Sequence, residues 1–188
     1  WPDQQIETLG QVRNTYIVAR TFGGLIIVDQ HAAHEAILTE RLLAGGGTSA
    51  LAPPFRLEAT LQEAELLTTH LRPLASLGLE LDSFGGTSFL LRTIPADLAE
   101  GEVGELMNQV LSELSASHKL DPEVLREKLA SRAACWAAIK AGDLLSRDQQ
   151  QALLADLSGT WSPSVCPHGR PTLFALTVEE IEQRFLRR

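Results

Sequence analysis

Residues 25–43 read Leu25-Ile26-Ile27-Val28-Asp29-Gln30-His31-Ala32-Ala33-His34-Glu35-Ala36-Ile37-Leu38-Thr39-Glu40-Arg41-Leu42-Leu43. The first four positions are wholly apolar, as expected of a short buried strand. Asp29 ends that strand, and a helix is expected from about His31 to Leu43, where Gly45-Gly46-Gly47 stops it. A strand running into a helix is also where α/β sheets place ligands. Two histidines and two glutamates in the helix, one turn beyond an aspartate, concentrate chemistry at that place.

Outward from this unit, Val12 to Ala19 is rich in β-branched residues and is expected to form a strand. Phe22-Gly23-Gly24 would join it to the next strand as a hairpin. Downstream, Phe55-Arg56-Leu57 reads as a short strand after a Pro-Pro turn. Gln62 to Leu77 reads as a helix closed by Gly78. Leu79–Phe84 and Thr87–Leu91 flank Gly85-Gly86, a second hairpin, and Glu102 to Ser115 reads as another helix. Asp121-Pro122 opens a helix that the pattern carries to Ala141, with Gly142 as its stop. Ser146 and Gln149 form a capping box for the next helix. Leu157 to Pro171 is a polar loop, and Thr172 to Leu176 is strand-like. Thr177 and Glu180 cap a final helix ending at Arg187-Arg188. There is no internal repeat. The order predicts an α/β (α+β) sandwich in which a helix–hairpin–helix lobe, residues 60–120, interrupts an early part, 1–59, and a late part, 121–188.

The composition is that of a folded soluble protein, with 44% hydrophobic and 21% charged residues over 188 positions. No stretch approaches the roughly 18 uninterrupted apolar residues that span a bilayer, so no membrane partner is expected. The opening Trp1-Pro2-Asp3-Gln4 lacks the basic start and apolar run of a signal peptide. With no initiator Met, the sequence reads as a piece of a longer chain. The net charge of −8 argues against a dedicated nucleic-acid binder. Only Cys135 and Cys166 could form a disulfide, and without a secretion signal they read better as metal ligands or buried thiols.

His31 and Glu35 are four apart and share a helix face, so both can converge on one ion with Asp29. An N-terminal cap with acidic residues near the positive helix end accounts for Asp29 and Glu35 as well. His34 projects off that face as a surface or packing residue, and Glu40 points elsewhere. In the loop, alternation lets Cys166 and His168 chelate one ion; the alternative is a buried thiol beside a surface histidine. Arg170 could hold a phosphate or pair with a helix carboxylate. Cys135, on a small-residue helix face, taken alone reads as core, and Trp136 and Trp161 as packing. Together, Asp29, His31, Glu35, Cys135, Cys166 and His168 supply ligands for one or two ions. Thiolate and imidazole suit zinc, whereas carboxylates also suit manganese or magnesium. A metal pair can clamp the attacking and leaving oxygens of a phosphodiester. No Ser-His-Asp set or Walker-type loop competes.

These runs resemble the C-terminal domain of the DNA mismatch repair MutL family in its endonuclease-bearing form. The family's DQHA(X)2E(X)4E motif is met at Asp29, Gln30, His31, Ala32, Glu35 and Glu40. Its CPHGRP motif is met at Cys166 through Pro171, and its FxR motif at Phe185, Leu186 and Arg187. Ala134-Cys135 match a third motif, with Trp136 replacing its basic residue. The resemblance covers nearly the whole chain, in family order. It implies a homodimerising domain, built from the early and late parts, with an external regulatory subdomain inserted. It also implies metal-dependent nicking of one DNA strand, stimulated by Mn2+, with Zn2+ regulatory or structural. Asp29, His31 and Glu35 would be catalytic, and Cys135, Cys166 and His168 would complete the metal set. Arg170 and Arg187 would contact DNA phosphate. ATP would act only through an N-terminal region outside this sequence. The expected partners are double-stranded DNA, a mismatch-recognition protein and a sliding clamp, although Ser49 to Pro54 lacks the clamp motif's Gln. The implied location is the bacterial cytoplasm, at the nucleoid. A non-catalytic dimerisation and partner-docking module with structural zinc is the rival reading, and a Cys135–Cys166 disulfide a third.

Overall fold

The computed structural model describes residues 6–98 and 103–187. Trp1 to Gln4, Glu102 and Arg188, named above, lie outside the described residues. Two compact units emerge: residues 1–37 with 138–188, and residues 38–137. The second unit extends further in both directions than the 60–120 segment expected from the sequence. Its strand Thr48–Glu58 is hydrogen-bonded into the second sheet, and its helix Pro122–Ala137 packs on the helix Val103–Ser117.

The first unit begins with β1 (Glu7–Val12), β2 (Tyr16–Thr21) and β3 (Gly24–Asp29), which leads directly into α1 (Gln30–Leu43); α1 runs past the division into the second unit. The second unit contains β4 (Thr48–Glu58), α2 (Leu61–Thr69), α3 (Leu71–Ser76), β5 (Glu80–Gly85), β6 (Ser88–Pro95), α4 (Val103–Ser117) and α5 (Pro122–Ala137). The chain then returns to the first unit for α6 (Arg147–Ser158), β7 (Leu173–Thr177) and α7 (Val178–Arg184). Two antiparallel sheets result, ordered β1-β2-β3-β7 and β4-β6-β5. The mixed α+β sandwich read from the sequence is the architecture of the chain.

In the first sheet, Ile17, Ala19, Ile26 and Val28 point to one face. They pack with Ala32, Ala33, Ala36 and Ile37 of α1 and with Leu153, Leu154 and Leu157 of α6. The small alanines let α1 lie close to the sheet. Gly24 is required at the β3–β7 crossing, where a Cβ would run into the Leu176 carbonyl. In the second unit, Phe89, Leu91 and Ile94 of β6 are buried, as are Leu106, Met107 and Leu114 of α4 and Leu125 and Leu129 of α5.

Five boundaries differ from the sequence expectation. The strand expected over Val12–Ala19 is broken by a turn, because Arg13 and Asn14 adopt left-handed conformations (φ 54° and 49°) and reverse β1 into β2. The helix expected over Gln62–Leu77 divides at His70, with α3 carrying Pro73, which has no N–H to give. Pro53 and Pro54 lie inside a longer β4, whose register shifts between Ala50 and Phe55. The helix carried to Ala141 stops at Ala137, for a reason that belongs to the site below. The final helix also ends early, with Leu186 left-handed and Arg187 N–H donating back to the Glu182 carbonyl.

Candidate metal centre

Asp29 stands at the last position of β3, tied there by its N–H donating to the Thr172 carbonyl at 2.8 Å. Its Oδ1 accepts from the N–H groups of His31 and Ala32, at 3.0 and 3.1 Å. Asp29 therefore caps α1, and the capping alternative is realised for this residue. That cap fixes where the helix begins, and so where His31 and Glu35 point.

Glu35 is the buried member of the set, 1% exposed. Its Oε1 lies 3.3 Å from Nε2 of His31 and 3.8 Å from Nε2 of His168. Its Oε2 has no hydrogen-bond partner among the described residues. A buried carboxylate oxygen with nothing to bind costs on the order of 1–3 kcal/mol, and more if charged. His31 sharpens the point. Its Nδ1 faces the Ile139 carbonyl at 2.8 Å, and a carbonyl only accepts, so Nδ1 carries the hydrogen. Nε2 of the neutral ring then presents a lone pair towards Oε1. Two lone pairs facing each other repel unless a proton or a metal cation lies between them. The donor set of buried carboxylate and imidazoles therefore fits a divalent metal such as zinc or manganese.

The second motif forms a tight turn. Gly169 N–H donates to the Cys166 carbonyl and Cys166 N–H to the Arg170 carbonyl, both at 2.9 Å, and Val165 bridges to Pro171. Gly169 has φ 74°, a conformation that side chains other than glycine's rarely adopt. Cys166 is buried in the first unit's core, while His168 stays on the outer side of the turn, its side chain 42% exposed. Thr172 anchors the loop, its hydroxyl donating to the Pro163 carbonyl and its N–H to the Ser164 carbonyl. The same residue's carbonyl holds Asp29. One buried threonine thus links the two motifs.

Of the candidates, Asp29, His31, Glu35, Cys166 and His168 lie in the first unit, with His31 and His168 both converging on Glu35. Cys135, half-buried near the end of α5, and Glu40, half-buried on α1, belong to the second unit. Cys135 and Cys166 are not joined to each other, so the disulfide reading is not realised. Arg170 and Arg187 are exposed. Three residues passed over as carriers of chemistry shape the site: Gln30, His34 and Ile139. Gln30 is fully buried, and its Nε2 lies 2.9, 2.9 and 3.0 Å from the carbonyls of Asn14, Lys140 and Asp143. The Ile139 N–H donates to Nδ1 of His34 at 3.0 Å. These bonds, with Lys140 N–H to Asp143 Oδ2 at 2.9 Å, take the backbone groups that a longer α5 would need. Gln30 stood in the motif and His34 beside it; only the backbone partner had no sequence signal.

A family model described as the MutL C terminal dimerisation domain matches residues 9–145. The DNA mismatch repair protein MutL of Desulforamulus reducens is 40% identical over 184 residues, covering 95% of this chain and 29% of that protein. Its counterpart in Halalkalibacterium halodurans is 38% identical with the same coverage. That of Desulforudis audaxviator is 37% identical over 186 residues, covering 97% of this chain and 33% of the relative. This chain therefore spans about a third of the length of these curated relatives. With most of its length matched by both kinds of comparison, the chain belongs to the family of MutL C-terminal dimerisation domains.

Proposed function

We propose that this chain is the homodimerising, metal-dependent nicking endonuclease domain of a mismatch repair MutL protein, working in the cytoplasm at the nucleoid. The observation that carries the reading is Glu35: a buried carboxylate with one oxygen unpartnered and the other flanked by two imidazoles. Oxygen donors Asp29 and Glu35 would hold Mn2+, while Cys166 and His168, joined by Cys135 on the strength of its motif, would hold Zn2+. A bound divalent ion supplies charge to the scissile phosphate and makes water a competent nucleophile near neutral pH. The chain's own residues supply position. Asp29 uses Oδ1 to cap α1, so Oδ2 remains for the cation. His31 is held with Nε2 inward by the Ile139 carbonyl. The Cys166–Arg170 turn sets His168 at the rim and exposes Arg170, which with Arg187 would meet DNA phosphate. Homodimerisation would use the outer face of the β1-β2-β3-β7 sheet, whose central rows are apolar and partly exposed, with the Arg20–Glu7 pair at one edge. Zinc control, DNA, the sliding clamp and the mismatch-recognition protein belong to the same proposal, with ATP acting through a separate part of the full protein.

The capping role of Asp29 favours the rival, a docking module with structural zinc, because it explains that residue without catalysis. One substitution separates the two. In Asp29→Asn the amide oxygen caps α1 about as well as the carboxylate, so the helix start survives while the charge is lost. Supercoiled plasmid incubated with Mn2+ and the protein should yield open circles with the wild type and few or none with Asp29→Asn. Equal nicking by both, in well-folded preparations, would remove Asp29 from catalysis and leave the docking module.

A further inference from the structure

One residue, Ile139, is gripped through both of its backbone groups by two imidazoles of the same helix. Its carbonyl accepts from Nδ1 of His31 at 2.8 Å, and its N–H donates to Nδ1 of His34 at 3.0 Å. A backbone carbonyl only accepts and an amide only donates, so the neutral rings hold opposite tautomers. His31 carries its hydrogen on Nδ1 and keeps Nε2 bare; His34 keeps Nδ1 bare. The bare Nε2 of His31 is the atom that faces Oε1 of Glu35 at 3.3 Å.

We propose that His34 is a positioning residue for the metal centre: by holding the Ile139 N–H it aims the Ile139 carbonyl at His31 and fixes that ring in its metal-ligating tautomer. The inference rests on the reading of His31 as a ligand. A ligating imidazole usually donates its other N–H to a carbonyl or carboxylate, which sets the ring's tautomer and orientation. Here the carbonyl sits in an irregular segment just past α5, in the peptide whose other end, the Lys140 N–H, donates to Asp143 Oδ2. Gln30 secures one side of that segment through the carbonyls of Lys140 and Asp143. His34 secures Ile139 itself. Without an acceptor at position 34, the Ile139 N–H loses its partner, and the backbone of residue 139 loses an anchor that sets its φ and, through its Cα, the direction of its carbonyl. His31 then loses its carbonyl and adopts the Nε2–H tautomer that free imidazole side chains favour in water. In that state Nε2–H would donate to Glu35, and the site would become a closed His–Glu hydrogen bond in place of a ligand pair.

The test uses the metal-free chain at pH 8.5, with Zn2+ alone as the probe. Long-range ¹H–¹⁵N correlation spectra should show His31 protonated at Nδ1 in the wild type and shifted towards Nε2–H in His34→Ala. Zinc affinity by calorimetry should fall about tenfold in His34→Ala, the lower end of effects seen for outer-sphere partners. His34→Asn, whose Oδ1 can stand where Nδ1 does, should restore both the tautomer and the affinity. An Nε2–H His31 in the wild type overturns the proposal. So does a His34→Ala that keeps the tautomer and the affinity, and so does an equal loss in His34→Asn, which would assign the effect to the ring's bulk. A wild type with the Nδ1–H tautomer that takes up no zinc sinks the metal reading itself, and the spectrum separates that outcome from failure of the clamp.

Discussion

Glu35 concentrates the electrostatic tension of the first unit in two oxygen atoms, one with no hydrogen-bond partner among the described residues and one between imidazoles. An ion that binds the folded chain and not the unfolded one stabilises it by mass action, about 2.7 kcal/mol at a hundred times Kd. Zinc or manganese should therefore raise the melting temperature of the wild type, and Glu35→Gln, which keeps the shape and removes the charge, should show little or no such shift. An equal rise in both proteins would place the ion elsewhere. Gln30 is the polar counterpart, buried with its amide among three carbonyls and its Oε1 accepting from Nε2 of Gln11. Gln30→Leu leaves those groups unsatisfied and should cost about 2 kcal/mol in urea unfolding. A loss below about 0.5 kcal/mol would mean that water replaces the amide. Gln30 thus acts on the site through the chain that carries Ile139, with no contact to an ion required.

Three helices begin with reciprocal caps: Thr60 with Glu63 at α2, Ser146 with Gln149 at α6, and Thr177 with Glu180 at α7. At α2 the Thr60 N–H donates to the Glu63 carboxylate at 2.8 Å, and the Thr60 hydroxyl adds a second bond, together holding the carboxyl below its usual pKa. A depressed carboxyl pKa contributes stability that is present above the unfolded value, near 4.3, and lost as pH falls through the folded one. Thr60→Ala should cost about 1 kcal/mol at neutral pH. In an NMR titration it should return Glu63 part of the way towards the ordinary carboxylate range, since the Thr60 N–H remains; an unchanged Glu63 would deny the hydroxyl's part in the shift. The α6 and α7 boxes were legible in the sequence because a capping box is written in two residues three apart, and the glycine hairpins for the same reason. The break between Val12 and Tyr16 was not, since Arg13 and Asn14 make a left-handed turn without glycine. Nor was the end of α5, which is decided by hydrogen bonds from residues over a hundred positions away. The site divides along the same line. Asp29, His31, Glu35, Cys166 and His168 carry chemistry in their side chains and could be named from sequence. Ile139 carries it in its backbone, which any residue has, and His34 gains a role only through that backbone.

Taken whole, the chain is acidic, at −8, so it has little bulk attraction for a phosphate backbone. Nicking under the proposed reading then depends on local cations, namely the ion set and the exposed Arg170 and Arg187, and on presenting two such sites in a dimer. The surface suited to dimerisation is visible in the first sheet. An antiparallel sheet with one face on a core normally turns polar residues outward. Here the outward row Val18, Ile27 and Phe174 crosses three strands in register, flanked by Val12 opposite Tyr16 and by Leu25 opposite Leu176. Val12, Tyr16 and Phe174 are each more than 40% exposed. Large exposed apolar patches of this kind mark interaction sites. A twofold interface would place the same face against itself, so a single cation at its centre is met twice across the axis. Ile27→Lys and Phe174→Lys should accordingly shift the chain from dimer to monomer in sedimentation velocity. Far-UV circular dichroism should be unchanged, because neither side chain belongs to the core on the sheet's other face. Dimers that survive both substitutions would move the interface off this sheet, while folded monomers would tie the dimerisation of this family to the face opposite α1.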